Sequence, residues 1–89
     1  MKAVITVLGK DAVGILAKVS AVCAENNVNI IDVSQSTLRD IFCMIMMVEM
    51  DKSTITIGEL SDAMSFMGKK NGLVISVMHE DIFNSMHRI

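Results

Sequence analysis

The residues best placed for chemistry stand together near the front of the chain, in Gly9-Lys10-Asp11-Ala12-Val13-Gly14-Ile15. Two glycines bracket four residues between an apolar run and a segment of helical period. A phosphate-binding loop would continue with Lys and then Ser or Thr, but Gly14 is followed by Ile15-Leu16. No lysine after Gly14 can reach a terminal phosphate and no hydroxyl follows it to hold magnesium, so a nucleotidase of that kind is excluded. What remains is a helix start, whose unpaired amides favour an anion such as an amino-acid carboxylate. Gly14 carries no side chain to obstruct a ligand or a backbone. The same residues also suit an ordinary strand-to-helix turn in which Asp11 accepts from the first free amides. Residue chemistry alone leaves both readings open. Asn29, further on, can donate and accept at once, or can simply be a turn residue after the helix.

Other reactive side chains are scattered. His79 is expected at a strand end and His87 a helix away, so the pair does not converge on a metal. Cys23 and Cys43 are twenty residues apart with no CxxC spacing, and two buried thiols in a reducing cytoplasm are expected. The nine methionines read as adaptable core and interface filler. No Ser-His-Asp or Cys-His set and no paired acids fall within a nominated pocket, so no catalytic residue, metal or cofactor is assigned.

The elements that must hold these residues follow from period. Residues 3–8 are β-branched and apolar up to Gly9, which predicts a strand. Ile15, Leu16, Val19, Val22 and Cys23 recur at helical spacing, with Lys18, Ser20 and Glu25 on the wet side and Asn26-Asn27 as a stop. Residues 28–38 form a second strand, unusually polar through Asp32, Ser34, Gln35 and Ser36, which suits a solvated edge. Arg39-Asp40 turns into a third strand over 41–50. Thr56 with Glu59 fits a capping box for a helix faced by Ile57, Leu60, Met64 and Met67 and closed by Lys69-Lys70 and Asn71-Gly72. A fourth strand over 73–78 precedes a short terminal helix that starts at Glu80-Asp81, with Ile82, Phe83, Met86 and Ile89 on one face.

The order β-α-β-β-α-β plus a terminal helix predicts an α+β, ferredoxin-like sandwich: one four-stranded antiparallel sheet with both main helices on one face. The uncovered face should be polar. Yet in the third strand Phe42, Met44, Met46, Val48 and Met50 point one way and Ile41, Cys43, Ile45 and Met47 the other, with Glu49 alone breaking the second set. The first strand likewise sets Ala3, Ile5 and Val7 against Val4, Thr6 and Leu8. A sheet apolar on both faces needs two covers, so a second subunit, the terminal helix, or both are expected on the far side.

Composition bounds what this fold can do. Eighty-nine residues make one domain, 1–89, and a chain so short buries only about 60–65% of its unfolded surface. With 52% hydrophobic residues, apolar supply exceeds what such a core can hide, which predicts a homodimer. A net charge of -2 with scattered cations argues against nucleic acid. RNA binding on an open sheet would also need stacked aromatics, and the chain has three Phe and no Tyr or Trp. The opening apolar run is too short for a signal peptide and nothing approaches a membrane span, so a cytoplasmic location without membrane contact is expected.

Gly9-x-Asp11-x-x-Gly14-Ile15, an amphipathic helix, Asn29-Ile30-x-Asp32 and Phe42-x-Met44 together resemble the ACT-domain pattern. The version in the glycine cleavage repressor and at the front of formyltetrahydrofolate deformylase is nearest. The tail Asp81-Ile82-Phe83-x-x-Met86-His87-Arg88-Ile89 resembles that of small stand-alone ACT proteins. The resemblance implies a non-catalytic regulatory module that binds an amino acid or related metabolite. The ligand would sit where the first loop and helix start of one subunit face the second strand of the other. Carried onto this chain, it nominates Asp11, Val13, Gly14 and Ile15 on one side and Asn29 and Ile30 on the other. No enzyme or DNA-binding domain is attached, so the alternative is a ligand-free interaction module that docks on a separate enzyme or regulator. Acylphosphatases share the strand order but need an arginine in the first loop, where only Lys10 stands. Metal carriage on this fold would need CxxC there.

Overall fold

The computed structural model describes residues 1–10 and 13–86. Its elements are β1 (Lys2–Gly9), α1 (Ile15–Glu25), β2 (Asn29–Leu38), β3 (Ile41–Glu49), α2 (Ile57–Asn71), β4 (Val74–His79) and α3 (Glu80–Met86). The strands form one antiparallel sheet in the order β2-β3-β1-β4. Ile5 at its centre is flanked by Met46 and Val77. Between Ile30 and Asp32 the pairing of β2 with β3 slips by one residue, a bulge that leaves Ile31 unpaired.

Side-chain alternation divides the sheet. Ala3, Ile5, Val7, Phe42, Met44, Met46, Val48 and Ile75 face a core completed by Ile15, Val19 and Cys23 of α1 and Leu60 and Met64 of α2. The helical residues recur every four positions, which stacks them on one face of each helix. α2 starts where its capping box predicts: Thr56 Oγ1 accepts from the Glu59 amide at 3.1 Å and Glu59 Oε1 from the Thr56 amide at 3.0 Å. It ends at Gly72, after Lys69 and Lys70 in the last turn, where cations complement the helix dipole.

α1 ends differently. Asn26 Nδ2 donates to Val22 O at 2.8 Å and Asn27 turns the chain at φ 58°. The loop before α2 then fastens to this end, through Thr54 N to Asn26 O at 2.9 Å and Asn27 Nδ2 to Lys52 O at 2.9 Å. The start of β2 is therefore held against the end of β3.

The second cover expected for the sheet is partly supplied by the chain itself. α3 packs on β1 and β4. Val4, on the face opposite the core, is buried there between Met47 and Met78 of the flanking strands. Two expectations need correction. α3 buries none of its described residues, and Ile82 and Met86 are more than half exposed. Seven residues give too little length to set a full apolar stripe on the sheet. Cys43 is only half-buried, because it points to the outer face, whereas Cys23 is in the core.

Candidate functional site

Gly14 is the capping residue of α1, with φ 73° and ψ 4°. That left-handed conformation costs an L-residue roughly 1–2 kcal/mol, which accounts for glycine here. Its carbonyl accepts from the Lys18 amide at 3.0 Å, and no side chain caps the helix at this residue. Asp11, nominated for capping and for ligand contact, lies outside the described residues. Gly9 is packed closely for a different reason: a Cβ on it would stand 2.4 Å from Leu73 Cδ2, so a larger residue needs that side chain to move. The loop is thereby drawn tight against the start of β4.

Val13 is 81% exposed, while Ile15 belongs to the core. Both line a cavity of about 120 Å³ with Lys18, Asn71 and Leu73. Lys18 Nζ curls back to within 3.2 Å of where a Gly14 Cβ would be, so an ammonium hangs over the open helix start. The period of α1 puts Lys18 on its wet side, where it is exposed. The signal that could have found it is its spacing, one turn beyond Gly14 on the same helix face.

Asn29 is exposed at the other end of α1 and pairs with Glu49. It lines a groove of about 620 Å³ with Asn27, Val28, Glu49, Asp51 and Lys52, a volume suited to a small ligand. Glu49 Oε1 accepts from the amides of Met50 and Asp51 at 3.1 and 3.3 Å and from the Met1 amino group at 2.9 Å. The Met1 amino group also donates to Asp51. That hydrogen bond holds the Asp51 carboxyl below the usual carboxylate range. Ile30 packs against the core instead of opening on the groove. Glu49, Asp51 and Lys52 became legible only through register.

The nominated residues therefore fall into two groups. Val13, Gly14 and Ile15 stand at the start of α1 and Asn29 and Ile30 beyond its end. Eleven helical residues separate them by about 16 Å, so one small molecule cannot touch both in one chain. The first end offers backbone amides and an ammonium, and the second offers carboxylates and amide side chains. Among the described residues no group of three His, Cys, Asp or Glu side chains converges as metal ligands, and no helix is long and apolar enough to cross a membrane.

An antiparallel sheet of order β2-β3-β1-β4 backed by two helices defines the ferredoxin-like class of α+β proteins. Within it, the family model of the ACT domain matches residues 2–78, and the chain belongs to the ACT-domain family. A UPF0237 protein of Clostridium perfringens is 53% identical over 89 residues, covering 100% of both chains. An ACT domain protein from Streptococcus pneumoniae superposes with a TM-score of 0.82 at 37% identity, over 93% of each chain. Two more distant structures share the fold. A chain described as a glycine cleavage system transcriptional repressor has a TM-score of 0.74 at 23% identity, over 89% of this chain and 47% of that one. A formyltetrahydrofolate deformylase from Pseudomonas syringae has a TM-score of 0.78 at 21% identity, over 88% and 27% respectively. Membership of the ACT family implies a regulatory role based on small-molecule binding, and the relatives' names specify none more closely.

Proposed function

We propose that this chain is a one-domain, non-catalytic regulator of the cytoplasm that binds an amino acid at the junction of a homodimer. Asp11, Val13, Gly14 and Ile15 of one subunit receive the ligand together with Asn29 and Ile30 of the partner subunit. The observation that carries this reading is the separation along α1. An end suited to a carboxylate and an end suited to an ammonium lie too far apart to serve one small zwitterion within a chain, and a second copy can bring one of each together. Lys18 then pairs with the ligand carboxylate, while Asn29 and the carboxylates beside it take the ammonium.

Thermal melting against the twenty common amino acids tests this. A ligand at one hundred times its Kd adds about 2.7 kcal/mol, which for a domain of this size raises the midpoint by roughly 10–20 °C. At least one amino acid is expected to do so. No shift with any of them at millimolar concentration overturns the amino-acid reading and favours a module that docks without a ligand.

A further inference from the structure

The groove beside Asn29 is a place where an ammonium is already held. Of the residues that line it, Glu49 and Asp51 are the carboxylates and Lys52 is the cation. One group serves both carboxylates: the α-ammonium of Met1 donates to Glu49 Oε1 at 2.9 Å and also to Asp51. Register puts it there. Lys2 pairs with Glu49 at the start of β1, and the Met50 amide donates to Met1 O at 2.8 Å. The ammonium therefore hangs from backbone already fixed in the sheet, and little side-chain freedom is lost in placing it. Its hydrogen bonds to Asp51 first and Glu49 second raise the amino group above its ordinary value near 8, so it is charged at neutral pH.

We propose that the amino group of Met1 gates the ammonium end of the ligand site. Free, it occupies Glu49 and Asp51; acylated, or carrying residues ahead of it, it releases both carboxylates to the ligand. This inference rests on the proposed function, in which those carboxylates and Asn29 take the ligand's ammonium. It makes the amino group a modification site that regulates binding.

The competition follows from like chemistry. The α-ammonium of Met1 and that of a free amino acid are the same group, each with one positive charge and three N–H donors, and the groove has one pair of carboxylates. An acyl group turns the first into a neutral amide with a single N–H, which loses the charge-assisted hydrogen bonds that hold it. A residue joined ahead of Met1 carries the charge up to about 3.6 Å further along the chain. While Met1 is free, only chains whose ammonium has swung away accept the ligand, and the apparent Kd rises in proportion. An exposed ion pair shifts an equilibrium about fivefold at most. Two such pairs on one group set a gate of roughly three- to tenfold.

Two full-length chains that differ only at that nitrogen test the gate. One carries the free amine, and the other is acetylated on Met1, made by joining a synthetic segment 1–22 to 23–89 at Cys23. Both are melted against the twenty common amino acids, and the one that gives the largest shift in either chain is titrated into each by calorimetry. Its Kd is expected to be roughly three- to tenfold lower for the acetylated chain. In the unmodified chain, a saturating amount of the same amino acid should speed labelling of the Met1 amine by an N-hydroxysuccinimide ester by a similar factor, read by mass spectrometry. That second measurement needs no altered chain, so it stands even if the acetylated one folds poorly. Equal Kd values with an unchanged labelling rate overturn the gate and leave the amino-acid site intact. A lower Kd on acetylation with no gain in labelling rate also overturns it, since the amine was then never displaced. Binding by the acetylated chain alone supports both the gate and the site. No melting shift in either chain overturns the site, and the gate with it.

Discussion

At the scale of single residues, Gly14 and Cys23 show how far a residue type can be read. The glycine was read as a place where a ligand or backbone comes close; the structure gives it a left-handed φ, with the Lys18 ammonium near it. For Lys18 the spacing from Gly14 was the one signal available, and it does not distinguish a side chain that folds back over the helix start from one that extends into water. The two cysteines looked alike in sequence. Register separates them, sending Cys43 to the outer face and Cys23 to the core. Burial pushes the Cys23 thiol up from its ordinary value near 9 to about 11. A raised acid pKa means that the stability is complete below the unfolded value and is lost as pH rises through the folded one. The stability of the wild type relative to Cys23→Ala is therefore expected to hold steady up to about pH 9 and to decline toward pH 11. Urea denaturation midpoints of the two proteins across that range check this, and a constant difference would contradict it.

At the scale of elements, local chemistry settled most boundaries. The Thr56–Glu59 pattern marks the start of α2, and the alternation of β3 sets Met44, Met46 and Val48 on one face, which the fold makes the core face. Tertiary effects escaped it. The bulge at Ile31 changes which β2 residues face Met47, and nothing in a period-two pattern marks one extra residue. The second cover over Val4 was expected from a second subunit, the terminal helix, or both, and a seven-residue helix from the far end of the chain packs on the strand that carries it. These two kinds of information predict different costs. Thr56→Ala removes one cap and should cost about 0.5–2 kcal/mol, whereas Met64→Ala opens a cavity at the meeting of α2 and the sheet and should cost about 2–5 kcal/mol. Chemical denaturation ranks them; a Thr56→Ala loss equal to or above that of Met64→Ala would mean that α2 is held by its cap and not by its buried face.

At the scale of the molecule, the excess of apolar residues was visible in composition, and the fold explains where it goes. A sheet with one face against two helices and α3 on part of the other still leaves six large apolar side chains of its strands exposed. A second copy would cover part of that excess, and the proposed ligand junction calls for one as well. The site was legible only in part: Gly14 and Asn29 were named from their chemistry and family pattern, but the acidic groove beside Asn29 exists only because β2 and β3 pair in the register they do. Titration calorimetry of the intact assembly with the amino acid that most raises its melting temperature measures the junction directly. The expected result is saturable binding at one ligand per chain, lost in Gly14→Val while far-ultraviolet circular dichroism is unchanged. Binding that survives Gly14→Val at full strength would place the ligand away from the start of α1 and contradict the account.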